Sequence, residues 1–186
     1  MQINGKKRLF ISLNLSAGVK EQISCIIDKL RKENKGVKWV ILKSLHLTLH
    51  FLGYLDEEQS RKVQISMQSL SGKFKKMDFI FNRINAFPNI KNPRIIFVAG
   101  EQINSRSVFS LQELLGKELV KLGIGVDHRS WKLHITIGRA KEQNVNLNIE
   151  NNIIAPMQFS ISTFELMESE LTQRGAMYNE VANFKL

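Results

Sequence analysis

Two short segments of the chain carry the same arrangement. Leu45-His46-Leu47-Thr48-Leu49 and Leu133-His134-Ile135-Thr136-Ile137 each place a histidine two residues before a threonine inside an apolar alternation. Alternation at a period of two marks a strand with one buried face. The Leu and Ile side chains then turn into a core. His46 with Thr48, and His134 with Thr136, project together from the opposite face. Any fold adopted by such a chain must keep two polar-bearing strand faces accessible above an apolar interior. Each face offers one acid–base group and one hydroxyl donor, and two such faces set opposite each other can flank one phosphate.

The remaining pattern sets the two strands in a doubled order. Strands are expected over Arg8–Leu15, Val37–Val40, Leu45–Gly53, Phe74–Phe87, Arg94–Ala99, Trp131–Arg139, Phe159–Glu168 and Tyr178–Phe184. A helix capped at Ser16 is expected to run to about Asn34, one capped at Asp56 to about Leu70, and one capped at Asn104 or Ser105 to about Leu122. Asn89–Pro93 reads as a turn, and the Asn-rich stretch Gln143–Asn152 as a loop. Strand, helix and His-x-Thr strand thus occur twice. Phe10 precedes His46 by 36 residues and Phe97 precedes His134 by 37. This spacing matches an internal duplication within one domain spanning 1–186, with lobes roughly 1–90 and 91–186. A pseudo-two-fold axis between the lobes would set the two polar faces across a central cleft.

Composition narrows the class. The chain has 186 residues, 43% hydrophobic and 24% charged, which suits one globular domain. No apolar run is long enough to span a membrane, and Met1–Arg8 is polar and basic rather than signal-like. A single cysteine excludes an intrachain disulfide; Cys25, among Ile23, Ile26 and Ile27, reads as a small buried hydrophobe. These features suggest a cytoplasmic protein. The net charge of +10 favours a polyanionic partner such as nucleic acid.

Two imidazoles and two hydroxyls suffice for substitution at a phosphodiester. One histidine takes the proton of the entering group and the other protonates the leaving oxygen, both with pKa values near neutrality. Thr48 and Thr136 would donate to the non-bridging oxygens, where charge grows in the transition state. A catalytic metal is not expected. His46 and His50 have a zinc spacing for a helix, but on a strand they stand about 13 Å apart. No Gly-x-Ser-x-Gly elbow is present either. Strand parity adds Ser44 and His50 to the His46 face, and Lys132 and Gly138 to the His134 face, so Lys132 and His50 are candidate substrate contacts. Arg139 has the wrong parity unless the strand bends near Gly138. Trp131 and Tyr54 could stack a base, but packing in or over the core is the role expected of both.

At these residues the chain resembles the two-histidine (2H) phosphoesterase superfamily, and within it the LigT-like family of RNA 2′,3′-cyclic phosphodiesterases, also called 2′-5′ RNA ligases. The segments that carry the resemblance are Arg8-Leu9-Phe10-Ile11-Ser12-Leu13, Val37-Lys38-Trp39-Val40, His46 to Gly53, Ala86-Phe87-Pro88-Asn89, His134 to Arg139, and Glu168-Ser169-Glu170-Leu171 with Tyr178-Asn179-Glu180-Val181. His50 stands where a Lys or Arg is usual in that family. Trp131-Lys132-Leu133 lacks the expected Pro. The resemblance implies an α+β, bilobal fold with antiparallel sheets flanked by helices. It implies a general acid at His46, a general base at His134, no cofactor, and opening of a terminal cyclic phosphate to a 2′-phosphate. The implied partner is RNA with such an end, tRNA fragments or small cyclic nucleotides included, and the implied state is a monomer. The alternatives are reversible 2′-5′ RNA ligation at the same site and a non-catalytic RNA-binding module.

Overall fold

The computed structural model describes residues 5–103, 105–127, 129–142, 145–149, 152–172 and 175–186. The chain runs β1 (Lys7–Asn14), α1 (Ala17–Glu33), β2 (Val37–Trp39), a 3-10 turn (Leu42–Ser44), β3 (His46–Leu55), α2 (Glu57–Leu70), β4 (Met77–Pro88), β5 (Pro93–Gln102), α3 (Ser107–Lys121), β6 (His134–Ala140), β7 (Ile153–Ile161), β8 (Thr163–Thr172) and β9 (Gly175–Lys185). Two antiparallel sheets result, ordered β3-β1-β8-β9 and β2-β6-β5-β4-β7. No helix among the described residues is long and apolar enough to cross a membrane.

The elements form for local reasons. Asp56 closes a capping box at the start of α2, where its side chain accepts from the Gln59 N–H at 2.8 Å and the Gln59 side chain accepts from the Asp56 N–H. Each helix buries one stripe, such as Val19, Ile23 and Ile27 on α1 and Val108, Leu111, Leu115 and Leu119 on α3. Ser16 stands at the N-cap of α1, but its side chain makes no capping bond. At α3 the Ser105 hydroxyl accepts from the Ser107 N–H and the Gln102 side chain accepts from the Val108 N–H. The other cap candidate, Asn104, and parts of the Asn-rich stretch lie outside the described residues.

Three expectations change. Phe159–Glu168 is two strands, because the chain leaves one sheet at Ile161 and enters the other at Thr163. The apolar phase shifts at the junction, from Met157, Phe159 and Ile161 to Phe164 and Leu166, a break that the single-strand expectation passed over. The sheets also do not follow the two halves of the sequence. Strands β2 and β4 join the second sheet, whereas β8 and β9 return to the first. A boundary near residue 90 therefore separates the repeated pattern, not the two sheets. Cys25 is exposed rather than buried. On α1 it lies two residues from Ile23, about 200° round the helix, facing away from the inward stripe.

Candidate active site

Each His strand pairs with the strand that begins its own half. On β1 and β3, Asn14 pairs with His46 and Ser12 with Thr48. On β5 and β6, Ala99 pairs with His134 and Phe97 with Thr136. Both ladders then shift register at the next residue. Thr48 and His50 face neighbouring partners, Ser12 and Ile11, so Leu49 is an extra residue. Thr136 and Gly138 face Phe97 and Ile96, so Ile137 is the extra residue. A bulge of this kind reverses side-chain parity beyond it.

The bulges decide which candidates join the site. Beyond Leu49, His50 pairs with core-facing Ile11 and Phe51 pairs with Phe10. His50 is therefore buried on the far face, where its Nε2 lies 2.7 Å from the Gln112 carbonyl oxygen and its ring rests against Gly116 of α3. This corrects its expected place beside His46. Beyond Ile137, Gly138 is buried, and Arg139 takes the face of Thr136. The bend needed for Arg139 is thus this bulge, and Gly138 leaves the face on which parity alone had put it. Gly138 meets a close approach from β2: a Cβ there would lie 2.7 Å from Val37 Cγ1 and 3.0 Å from the Trp39 ring.

The two histidines have matching surroundings. His46 Nδ1 is 2.8 Å from the Ser44 carbonyl oxygen, and His134 Nδ1 is 2.6 Å from that of Lys132. A carbonyl only accepts, so each Nδ1 carries the hydrogen, and each neutral ring keeps its lone pair on Nε2. His46 lies 4.8 Å from the Phe10 ring centre and edge-on to Tyr178 at 5.0 Å. His134 stands edge-on to both Phe87 and Phe97 at 5.4 Å. Trp131 joins the two motifs through a bond from its indole N–H to the Thr48 carbonyl. Both threonines are half-buried.

Burial lowers both histidine pKa values, His46 to about 4. The carbonyl bonds oppose this shift, whereas the Arg139 charge adds to it at both rings. Lys20 and His134 add to it at His46. Glu165 of β8, which pairs with Ser12 as Thr48 does, is buried and accepts from the Asn14 backbone N–H at 2.9 Å and from the Thr163 hydroxyl at 2.6 Å. Its burial pushes its pKa up to about 7 despite those bonds.

Cavities flank the pair. One, of about 500 Å³, is lined by His46 and Ser44 with Phe10, Phe51, Tyr178 and Arg139. Another, of about 600 Å³, is lined by Phe87 and Phe97 beside His134, with Lys132, Trp131, Phe109 and Arg106. Lys132 thus takes its expected side, with its ammonium 5.6 Å from the Phe87 ring centre. Tyr54 is exposed and lines neither of these cavities. Apart from Trp131, the aromatic walls were absent from the sequence-derived site, as were Arg106 and Glu165. Phe10 and Phe97 had a signal in their matching offsets, but the others come from elements distant in sequence. Among the described residues no three His, Cys, Asp or Glu side chains cluster as metal ligands.

The arrangement gives two histidine rings, each with Nδ1 held by a backbone carbonyl, near cavities with aromatic and basic walls. The LigT like Phosphoesterase family model matches residues 13–97. The RNA 2′,3′-cyclic phosphodiesterase of Thermotoga maritima is 31% identical over 92% of this chain and 91% of its own length. That of Methanothermobacter thermautotrophicus is 28% identical over 97% and 100%. The crystal structure of a Thermus thermophilus protein superposes with a TM-score of 0.81 at 26% identity, covering 96% of this chain and 97% of that one. Escherichia coli LigT complexed with 3′-AMP shares the fold, with a TM-score of 0.82 at 20% identity and 97% and 98% coverage. The chain belongs to the LigT-like phosphoesterase family.

Proposed function

We propose that this protein hydrolyses the 2′,3′-cyclic phosphate at RNA 3′ ends to a 2′-phosphomonoester, with no metal in the chemistry. The observation that carries the reading is the matched pair of histidines, each with Nδ1 tied to the carbonyl two residues back and Nε2 left for proton transfer. Binding alone has no use for two such groups. The names of the relatives from Thermotoga and Methanothermobacter support the same substrate class.

In the proposed step His134 Nε2 takes a proton from water as the water oxygen bonds to phosphorus. The bond from phosphorus to the ribose 3′ oxygen breaks, and His46 Nε2–H supplies that oxygen with its proton. Thr48 and Thr136 donate to the non-bridging oxygens, and the Arg139 guanidinium offsets their charge. Solvent exchange then returns one proton to His46 and removes one from His134. One chain supplies both histidines and both cavities, consistent with a monomer; the basic charge and single cysteine are consistent with work on RNA in the cytoplasm.

The test is turnover of nucleoside 2′,3′-cyclic phosphates in excess EDTA, with the product resolved by phosphorus NMR. A 2′-phosphate formed in the presence of chelator is expected. A 3′-phosphate would reverse the acid and base assignments. Salt-sensitive RNA binding without turnover would reduce the site to a binding module.

A further inference from the structure

The Leu49 bulge leaves Thr48 loosely held by its own sheet. The extra residue interrupts the ladder between Thr48 and His50, and among the described residues β3 pairs with β1 alone. A slip of one residue there would turn the Thr48 side chain away from the cleft.

Two contacts from outside the sheet bracket the bulge, and both lead to α3. Before Leu49, the Thr48 carbonyl accepts from the Trp131 indole N–H at 3.0 Å, and the Trp131 ring meets Phe109 edge to face at 5.3 Å. After it, His50 Nε2 lies 2.7 Å from the Gln112 carbonyl oxygen. A carbonyl only accepts, so His50 carries its hydrogen on Nε2, the reverse of His46 and His134. Its ring is a donor to the helix, not a third proton-transfer group. Gly116 completes the seat: a Cβ there would stand 3.2 Å from His50 Cε1 and 3.4 Å from its Nε2. Glycine is a poor helix former, and in the interior of α3 it leaves room for the ring. Phe109, Gln112 and Gly116 follow at intervals of three and four, so they share one face of the helix. The contacts close a ring that runs from Thr48 through His50, Gln112, Phe109 and Trp131 back to Thr48.

We propose that α3 is the positioning element for Thr48, with His50 and Trp131 clamping the two sides of the Leu49 bulge to one helix face. His50 is then a positioning residue that acts through Thr48 from the core side of β3. The proposal rests on the hydrolytic reading, in which the Thr48 hydroxyl donates to an oxygen whose charge grows in the transition state. Misplacing such a donor lowers kcat and leaves KM nearly unchanged.

The experiment compares His50→Leu, which removes the donor, with His50→Gln, which keeps an N–H for the Gln112 carbonyl. In His50→Leu, kcat should fall at least about tenfold with KM within about twofold, and His50→Gln should recover at least about threefold of that loss. In Thr48→Val protein, His50→Leu should change kcat by less than about twofold, because the group it positions is gone. A kcat near that of wild type, or an equal fall in both backgrounds, overturns the proposal. Gly116→Ala crowds the ring without removing the donor, and should His50→Leu fail to fold, the same comparison between the two backgrounds is made with it. A readout free of turnover is solvent exchange of the two tryptophan indole protons, followed by NMR and assigned with Trp131→Phe. Exchange at Trp131 should quicken at least about fivefold in His50→Leu while that at Trp39 stays within about twofold. No change at Trp131, or equal quickening at both, overturns the clamp. Selective quickening in a wild-type background that shows no turnover overturns only the hydrolytic reading.

Discussion

The indole N–H of Trp131 donates to the carbonyl oxygen of Thr48 at 3.0 Å, a bond between residues 83 positions apart. It ties the approach to the second His strand onto the backbone of the first motif. The relative placement of the two sheets, and so of the two histidines, therefore depends on a contact within the site. Trp131→Phe keeps most of the ring and removes the bond. A loss of about 1 kcal/mol in stability is expected, the usual net worth of such a bond. Because small misplacement of reacting groups is costly, kcat should fall about 10-fold or more. Urea unfolding and steady-state kinetics on one preparation check both figures.

His46→Ala and His134→Ala should each lower turnover by at least ~10²-fold with the fold retained, the usual scale for a lost general acid or base. The rings are held by backbone carbonyls and aromatic edges, so the substitutions leave the ladders in place. A folded variant with turnover near that of wild type would remove its histidine from the mechanism.

The pH profile should separate free from bound protein. Burial lowers both histidine pKa values in the free protein, to about 4 at His46. Both rings are then neutral at pH 7, and the productive form, with His46 protonated and His134 neutral, becomes scarce as pH rises. The optimum of kcat/KM, which reports free enzyme, is expected below the ordinary histidine value of about 6.5. A bound phosphate anion favours the protonated rings, so the kcat profile should lie at higher pH. Arg139→Gln removes a charge that lowers both values and should move the kcat/KM profile upward.

Glu165 gives a pH dependence of stability with a definite sign. Its folded pKa is raised to about 7, so between about 4.5 and 7 the folded state holds a proton that the unfolded state has released. Its favourable contribution is present below the unfolded pKa and is lost as pH rises towards 7. The loss is on the order of 3 kcal/mol. Glu165→Gln cannot ionise. It should cost ~1 kcal/mol at pH 5 through a weakened acceptor and should lose less stability than wild type between pH 5 and pH 8. Denaturant midpoints at the two pH values decide it, and parallel losses in both proteins would contradict the assignment.

Gly138→Ala tests the close approach at β2. The added Cβ would lie 2.7 Å from Val37 Cγ1, so the short edge strand must move. A destabilisation of ~1–3 kcal/mol is expected, the range for overpacking. A variant as stable as wild type would mean that β2 yields without cost.

Period-two alternation by itself determined the strands around His46 and His134 and the shared faces of His46 with Thr48 and His134 with Thr136, because side-chain direction in a strand is set locally. Asp56 was equally legible, since its capping box is closed within four residues. Tertiary structure decided what lies beyond each threonine. A bulge is a mismatch between paired ladders, so neither strand records it alone; this sent His50 to α3 and brought Arg139 to the site. The same holds for Phe87 of β4 and Tyr178 of β9, whose strands share a sheet with the histidine strands without adjoining them. It also holds for Glu165, whose alternating strand position does not show that its carboxyl is buried against the end of β1 at Asn14. Each His-x-Thr motif carries its chemistry within three residues, whereas the cavities and charges around it come from long-range pairing, because contacts between distant strands depend on the packing of both sheets.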